Sequence, residues 1–501
     1  MARDVVTTTN PEMGAASDVR GGGHRARRAG WPARLAALGL ILLLSAGCLV
    51  LPDGSVVSRD TVAGEPSLAW NDPDDGLTDS PIDLADVGYV EAEHFIAGNA
   101  TAYDKVGTWL SDGRWQARPT TSESFASRIL VRRPADPTAF NGVVLVEWLN
   151  TTSGRDLDAI FRPVHTELLG KGYAWVGVSA QKAGVDDLKQ RNPDRYGGLR
   201  HPGDTYAYDV FTRAGRIVAD PASPVLGGLR PRAVLAAGTS QSASWLLTYI
   251  NAVHPLVGVY DGFQLLSHLG AALPIHAGAS MPASPIVRTD VDVPVLDVQT
   301  ETEVAVLGTH RNRQDDSPIF RLWEVAGSAH VAEYGRSLTW PSVPTAPGDP
   351  CTERINSAPT FAVGKAATAA LARWATAGVA PPSAPRLELV DPSATDPVAR
   401  DSYGNALGGI RYPHVEVPTA RVDGLPNTAP PDDPGQALLC LLSGRTIPLS
   451  DAQLAELYPR SAVYRARFEA ATGRAVRDGF LLPEDAELLE AAAAASPPVD
   501  P

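Results

Sequence analysis

Serine is a weak nucleophile at neutral pH. It becomes useful only where a base takes its proton and an acid holds that base in place. One stretch of this chain offers such a serine. The apolar run Ala233-Val234-Leu235-Ala236-Ala237 reads as a buried strand and passes into Gly238-Thr239-Ser240-Gln241-Ser242. The chain then continues as an apolar helix with Trp245, Leu246, Leu247 and Ile250. A sharp strand-to-helix turn lifts a serine hydroxyl clear of a sheet, and small residues flank it because the turn is tight. Ser242 stands where such turns more often carry a second glycine. The pentapeptide alone is a weak signal, and an ordinary loop is the alternative. The strand before it and the helix after it single out Ser240.

A nucleophile of this kind predicts an acid and then a histidine further along the chain, each after a strand. The strand Val293 to Gln299 runs into Thr300-Glu301-Thr302-Glu303, and the strand Phe320 to Ala326 runs into Gly327-Ser328-Ala329-His330. Of the ten histidines, His330 alone follows a late strand through a short turn of small residues. His310 comes only a few residues after the acid, and His254 and His268 read as structural or pocket-lining. The offset from Pro294 favours Glu303 as the acid, with Glu301 as the alternative. Asp297 and Glu324 lie within strands and read as flanking charges. Acyl transfer also needs donors for a developing oxyanion. The backbone N–H of Gln241 is one candidate. The other comes from Asn150, Thr151 or Thr152, in a small polar loop that otherwise reads as an ordinary turn.

These residues need a frame that delivers strand ends to one place. Gly142 to Leu149, Tyr173 to Ser179, Ala233 to Ala237, Val293 to Gln299 and Phe320 to Ala326 read as strands. The first is a nearly continuous apolar run, as in a strand covered on both faces. Helical segments at Asp158 to Gly170 and Thr205 to Val218 alternate with them. This order predicts an α/β fold with a mainly parallel, doubly wound sheet, whose sites lie at the carboxyl ends of the strands. A half-buried strand is expected at Ser127 to Arg133. The expected core spans 86–380. From Pro381 the pattern weakens into Pro- and Gly-rich stretches and a helical tail near Asp451 to Ala495, read as a C-terminal extension (381–501) packed on the core.

At 501 residues, 44% hydrophobic and 20% charged, the composition is that of a globular protein, and its formal net charge of −14 argues against broad nucleic-acid binding. The N-terminus departs from this acidity. Arg25, Arg27, Arg28 and Arg34 precede the apolar stretch Leu35 to Ala46, which is short for a membrane span of about 20 residues. A basic region, a short apolar region and then small residues make the layout of an export signal. It ends Leu44-Ser45-Ala46-Gly47-Cys48, which resembles a bacterial lipobox. Residues 1–47 are therefore expected to be a lipoprotein-type signal, Cys48 the lipidated residue, and 48–85 a tether rich in Asp, Gly, Pro and Ser. The expected location is the cell envelope, with secretion or an uncleaved N-terminal anchor as alternatives. Lipidation of Cys48 leaves Cys351 and Cys440 to pair in an oxidising compartment, with two buried thiols as the alternative. No spacing of Cys and His suggests zinc.

Several segments together resemble a known family, the bacterial group of large α/β-hydrolase-domain proteins. They are Val146-Glu147-Trp148-Leu149-Asn150, Gly177-Val178-Ser179-Ala180-Gln181, His201-Pro202-Gly203-Asp204-Thr205-Tyr206, Thr239-Ser240-Gln241-Ser242, Gln299-Thr300-Glu301-Thr302-Glu303 and Trp323-Glu324-Val325-Ala326-Gly327-Ser328-Ala329-His330. The resemblance runs from about residue 87 to the C-terminus. It implies the α/β-hydrolase fold, the triad Ser240, Glu303 and His330, and hydrolysis without metal or organic cofactor. The family often has Gly where this chain has Ala243 and Asp where it has Glu303; neither change removes a needed group. The resulting expectation is a serine hydrolase of small-molecule carboxylic esters. Thioesterase, amidase and acyltransferase chemistry share the same triad. A non-catalytic envelope lipoprotein that keeps the fold is the alternative from another class.

Overall fold

Strands buried on both faces send alternate side chains into two separate cores, and the central strands here do so. In the computed structural model, which describes residues 48–50, 56–59, 80, 82–333 and 350–499, all six residues of β5 (Val143–Trp148) are buried. Val144, Val146 and Trp148 join one apolar cluster, while Val143 and Leu145 join another. The first is closed by helices α3 (Ala207–Ala219) and α4 (Gln241–Thr248), the second by α1 (Phe161–Gly170) and α5 (Thr360–Ala377). Helix α2 (Lys182–Arg191) packs in a small satellite cluster through Val185 and Leu188.

The sheet runs β1-β2-β3-β4-β6-β5-β7-β8-β9-β10. From β6 (Ala174–Val178) through β5, β7 (Ala233–Thr239), β8 (Gly262–Leu266), β9 (Val295–Thr300) and β10 (Phe320–Val325) every pairing is parallel. β3 (Tyr89–Val106) and β4 (Gln116–Pro134) form a long antiparallel hairpin that joins β6 antiparallel. The α/β, doubly wound, mainly parallel reading of the sequence therefore holds. Three features go beyond it. The strand expected to be half-buried at Ser127 to Arg133 is instead buried on both faces from Ser127 through Arg132, because Arg128 and Arg132 are buried with acidic partners. It is the inner end of a much longer β4 whose outer half is mostly polar and exposed. β8 and α5 were not anticipated: Gln264 interrupts the apolar run of β8, and α5 is so rich in alanine that it shows little periodic contrast. Two stretches of the expected tether, β1 (Cys48–Val50) and β2 (Val56–Arg59), instead extend the sheet beside β3. The expected export signal lies outside the described residues. Among the described residues no helix is long and apolar enough to cross a membrane.

The residues after Pro381 complete the core. Helices α6 (Ser461–Arg477) and α7 (Pro483–Ala495) place Phe468, Ala471, Leu489 and Ala493 in the same apolar cluster as β5 and α5. Phe480 meets the Trp323 ring of β10 edge-on at 5.2 Å, and Lys365 of α5 pairs with Asp485 at 2.6 Å, both side chains buried. Cys351 and Cys440 are joined in a disulfide, their Cα atoms 5.6 Å apart and 89 residues apart in sequence.

Charge is buried beneath the hairpin. Arg128 and Arg132 each lie two residues from Leu130, one on either side, so they share one face of β4 and are almost completely buried. Arg128 reaches Asp156 at 3.1 Å, and Arg132 reaches Glu91 at 2.8 Å and Asp158 at 3.0 Å. Asp156 and Asp158 belong to the loop that follows β5. Glu147, on β5, accepts from the N–H groups of Ile160 at 2.7 Å and Phe161 at 3.0 Å, where α1 begins. The indole N–H of Trp175 reaches it at 2.9 Å. Removing one partner of such a pair leaves a buried charge alone, at a cost of about 3–5 kcal/mol.

Two measurements test these features. Denatured, unreduced protein is expected to titrate no thiol from Cys351 or Cys440. Replacing both by serine should remove on the order of 4 kcal/mol, the chain-entropy value for so long a loop; an unchanged denaturation midpoint would contradict this. The second concerns Glu147. Burial, with the charge of Asp158, pushes its carboxyl from 4.5 up to about 8. Between those values the folded protein holds a proton that the unfolded chain releases. The stability it contributes is full below the lower value and is lost as pH rises through the upper one, at no more than about 1.4 kcal/mol per pH unit. Glu147→Gln should flatten the stability–pH slope across that window, as read by denaturant titrations at successive pH values.

Candidate active site

Ser240 sits where β7 turns into α4, with φ 60° and ψ −121°. Residues other than glycine rarely hold this conformation, and it persists only where the surroundings enforce it. Three contacts do so. The Ser240 N–H donates to the Leu266 carbonyl of β8 at 2.9 Å. The Ser242 hydroxyl accepts from the Thr239 N–H at 2.9 Å and donates to the Thr239 carbonyl at 2.8 Å. Gly238 lets helix and strand close up, since a Cβ there would lie 2.8 Å from the Ser242 carbonyl carbon. The serine at position 242 thus clamps the turn through its hydroxyl, which a glycine could not.

The structure brings Ser240, His330 and Glu303 into one hydrogen-bonded chain. His330 Nε2 lies 2.9 Å from Ser240 Oγ, and His330 Nδ1 lies 2.5 Å from Glu303 Oε1. Glu303 has no exposed surface, and the His330 side chain is 6% exposed. Burial alone would raise the Glu303 carboxyl. The His330 ring, with the Thr300 N–H and hydroxyl that donate to Oε2, outweighs burial and holds it below its ordinary value. An ionised carboxylate only accepts, so His330 Nδ1 carries the proton and Nε2 is left as an acceptor toward the serine hydroxyl.

Glu301 is elsewhere. Its Oε1 takes the Arg400 guanidinium at 2.8 Å and the Gly424 N–H at 3.2 Å, and its Oε2 takes the Gly327 N–H at 2.9 Å. Burial raises its carboxyl, against the pull of Arg400. Of the two carboxylates the sequence left open, Glu303 is the one that meets His330. Glu303 opens a π-helical turn, Glu303–Leu307, and no periodic pattern signals that geometry.

The loop after β5 needs a correction. The Asn150 N–H donates to the Leu157 carbonyl at 3.0 Å, so it cannot serve an oxyanion. Asn150 acts as a brace, its side chain donating to the Thr239 carbonyl at 2.9 Å and accepting from the Thr152 N–H at 2.8 Å. Thr151 faces the elbow: its N–H and hydroxyl lie 3.3 and 3.2 Å from Gln241 Oε1. Gln241 is the first residue of α4, so its own N–H has no acceptor one turn back in the helix.

The other histidines stand apart from this chain. His268 pairs with Asp297 at 3.2 Å, His254 lies 3.5 Å from the Asp292 carboxylate, and His310 Nδ1 lies 2.9 Å from the Val304 carbonyl oxygen. Glu324 is taken by Arg313 at 2.6 Å. Among the described residues no group of three or more His, Cys, Asp or Glu is placed to hold a metal ion. Cavities of about 180 and 170 Å³ lie among the C-terminal segments, beside His414 and Phe468 and beside Tyr403 and Tyr458, and include none of these site residues. Thr300, Thr302, Arg400 and Gly424 escaped the sequence reading. The polar run Thr300 to Glu303, abrupt after an apolar strand, was the available signal for the first two.

Solved structures similar to this one include XC6422 from Xanthomonas campestris, described as an a/b serine hydrolase without lid (12% identity, 45% of this chain and 83% of that one, TM-score 0.27). Others are the dienelactone hydrolase from Anabaena variabilis (12%, 44% and 86%, TM-score 0.24) and the carboxylesterase Cest-2923 from Lactobacillus plantarum (10%, 42% and 76%, TM-score 0.25). No curated protein sequence matches the chain. The model of the family described as "Alpha/beta hydrolase domain" matches residues 58–491. The chain belongs to the alpha/beta hydrolase domain family.

Proposed function

We propose that this hydrolase cleaves carboxylic esters of small molecules through an acyl-enzyme on Ser240. The observation that carries this reading is the unbroken chain from Ser240 Oγ through His330 to Glu303. Ser240 Oγ attacks the ester carbonyl carbon as its proton passes to His330 Nε2. Glu303 stabilises the imidazolium and keeps the ring oriented. The carbonyl oxygen, now an oxyanion, is met by the N–H of Gln241 and by the N–H and hydroxyl of Thr151. It competes with Gln241 Oε1 for the Thr151 donors, whose bonds to that oxygen are long. Collapse breaks the bond to the alcohol oxygen, which takes the proton from His330. Water then repeats the sequence: His330 removes its proton, the hydroxide attacks the acyl carbon, and Ser240 leaves with that proton as the acid departs.

We also propose that Cys48 is lipidated and tethers the enzyme to a membrane. The support is the basic, apolar and small-residue order that ends at Leu44-Ser45-Ala46-Gly47-Cys48. One acyl chain anchors only marginally, so the multiply acylated lipoprotein form is required.

Ser240→Ala should lower kcat on p-nitrophenyl esters by at least about 10⁴-fold and abolish fluorophosphonate labelling, with the fold intact by circular dichroism. Activity within tenfold of wild type would end the assignment. Glu303→Gln should cost on the order of 10⁴-fold, more than Glu301→Gln, because only Glu303 sets the tautomer of His330; the reverse ranking would make Glu301 the acid. Mass spectrometry of the mature, membrane-extracted protein should find a diacylglyceryl group on Cys48, and an unmodified Cys48 would refute the anchor.

A further inference from the structure

The turn that carries Glu303 is held by residues far along the chain. Thr302 Oγ1 donates to the Gly424 carbonyl at 2.8 Å and accepts from the His330 N–H at 3.3 Å. Glu301, between Thr300 and Thr302, ties Gly327, Gly424 and Arg400 together. Gly327 starts the turn that delivers His330, with φ 67° and no room for a side chain: a Cβ would lie 2.6 Å from Val415 Cγ2 and 2.9 Å from Val422 Cγ2. Gly424 is equally confined, since its Cβ would lie 2.4 Å from the Thr302 nitrogen. The acid turn, the histidine turn and the segment Arg400–Gly424 therefore meet at one buried carboxylate.

We propose that Arg400, acting through Glu301, is a positioning residue that sets where His330 stands relative to Ser240, so that the C-terminal extension is part of the catalytic frame. Glu301 has no exposed surface, and the Arg400 side chain is 13% exposed and also gripped by Asp396 at 2.6 Å. Arg400 offsets part of the burial that raises the Glu301 carboxyl, and Glu301 accepts from both glycine N–H groups. Without Arg400, burial favours the protonated acid. The oxygen that carries the proton then turns a donor toward the N–H it faces, Gly327 at Oε2 or Gly424 at Oε1, and the hold on that turn weakens. A shift near 1 Å in a catalytic group can cost about 100-fold in rate. The side-chain hydrogen bonds of Glu301 and Arg400 go to each other, to Gly327 and Gly424 and to Asp396 rather than to Ser240 or His330, so the effect falls on turnover rather than on substrate binding.

The inference rests on the ester-hydrolase reading, and the experiment separates the two. Steady-state kinetics of the full chain on p-nitrophenyl butyrate are compared with the far-downfield proton resonance of His330 Nδ1, which needs no substrate. Arg400→Ala is expected to lower kcat about 10- to 100-fold, to leave KM within about twofold, and to lose or broaden the resonance. Arg400→Lys, which keeps a cation beside Glu301, should recover part of both. Lys365→Met, which breaks the buried contact of the extension with α5 away from the turns, should keep wild-type kcat and resonance. If Arg400→Ala does not fold, Glu301→Gln is read in the same way. Wild-type kcat and resonance in Arg400→Ala or Glu301→Gln would overturn the proposal, as would an equal loss in Lys365→Met. Wild-type protein that neither turns over ester nor reacts with fluorophosphonate, yet shows the Arg400-dependent resonance, would instead remove the ester-hydrolase reading and leave the positioning role standing.

Discussion

A carboxylate with no exposed surface must be ringed by donors or it takes up a proton, and Glu303 is in that position. Its two oxygens are fully assigned, one to His330 and the other to the N–H and hydroxyl of Thr300. The rest of the site follows from keeping this arrangement intact. The imidazole tautomer is fixed by the acceptor-only carboxylate, and the direction of the serine hydroxyl by the tautomer. The strained backbone of Ser240 is in turn fixed by a sheet that holds β7, β8 and β9 in register. Charge at one strand end thus governs chemistry at another.

The same logic recurs on the other side of the nucleophile. The loop after β5 must present the N–H of Thr151 to the elbow, and buried acidic side chains secure it alongside the apolar packing of Leu149 and Ile160 at its ends. Glu147 holds the start of α1, while Asp156 and Asp158 reach the arginines of β4. Gly184 permits this, since a Cβ there would lie within 1.9 Å of Asp156 Oδ1. The long β3–β4 hairpin therefore supplies cations to the back of the loop that would face the substrate.

What could be read in the sequence was what local pattern determines. The apolar strand before Gly238 and the apolar helix after Ser242 suffice to place the elbow, because steric demand there is local. The doubly wound sheet was legible because two-sided burial leaves continuous apolar runs. The identity of the acid was not: Glu301 and Glu303 have the same chemistry and near-equal distance from a strand end. The choice depends on a π turn and on an arginine about a hundred residues away. Asn150 misled for a related reason, since its N–H is consumed by a bridge to Leu157 across a loop whose closure no pattern announces. The outer half of β4 looked unlike a strand because exposure there leaves polar residues on both faces.

The contact of Gly424 with the acid turn also has a meaning in time. A chain emerging from the ribosome or from an export channel presents Ser240, Glu303 and His330 well before Arg400 and Gly424, and the half of the disulfide at Cys440 arrives later still. On the frame proposed for Arg400, the hydrolase stays unfinished through most of its own synthesis. Competence arrives late, with the C-terminal segment, which limits how long a fully armed nucleophile exists on a partly emerged chain.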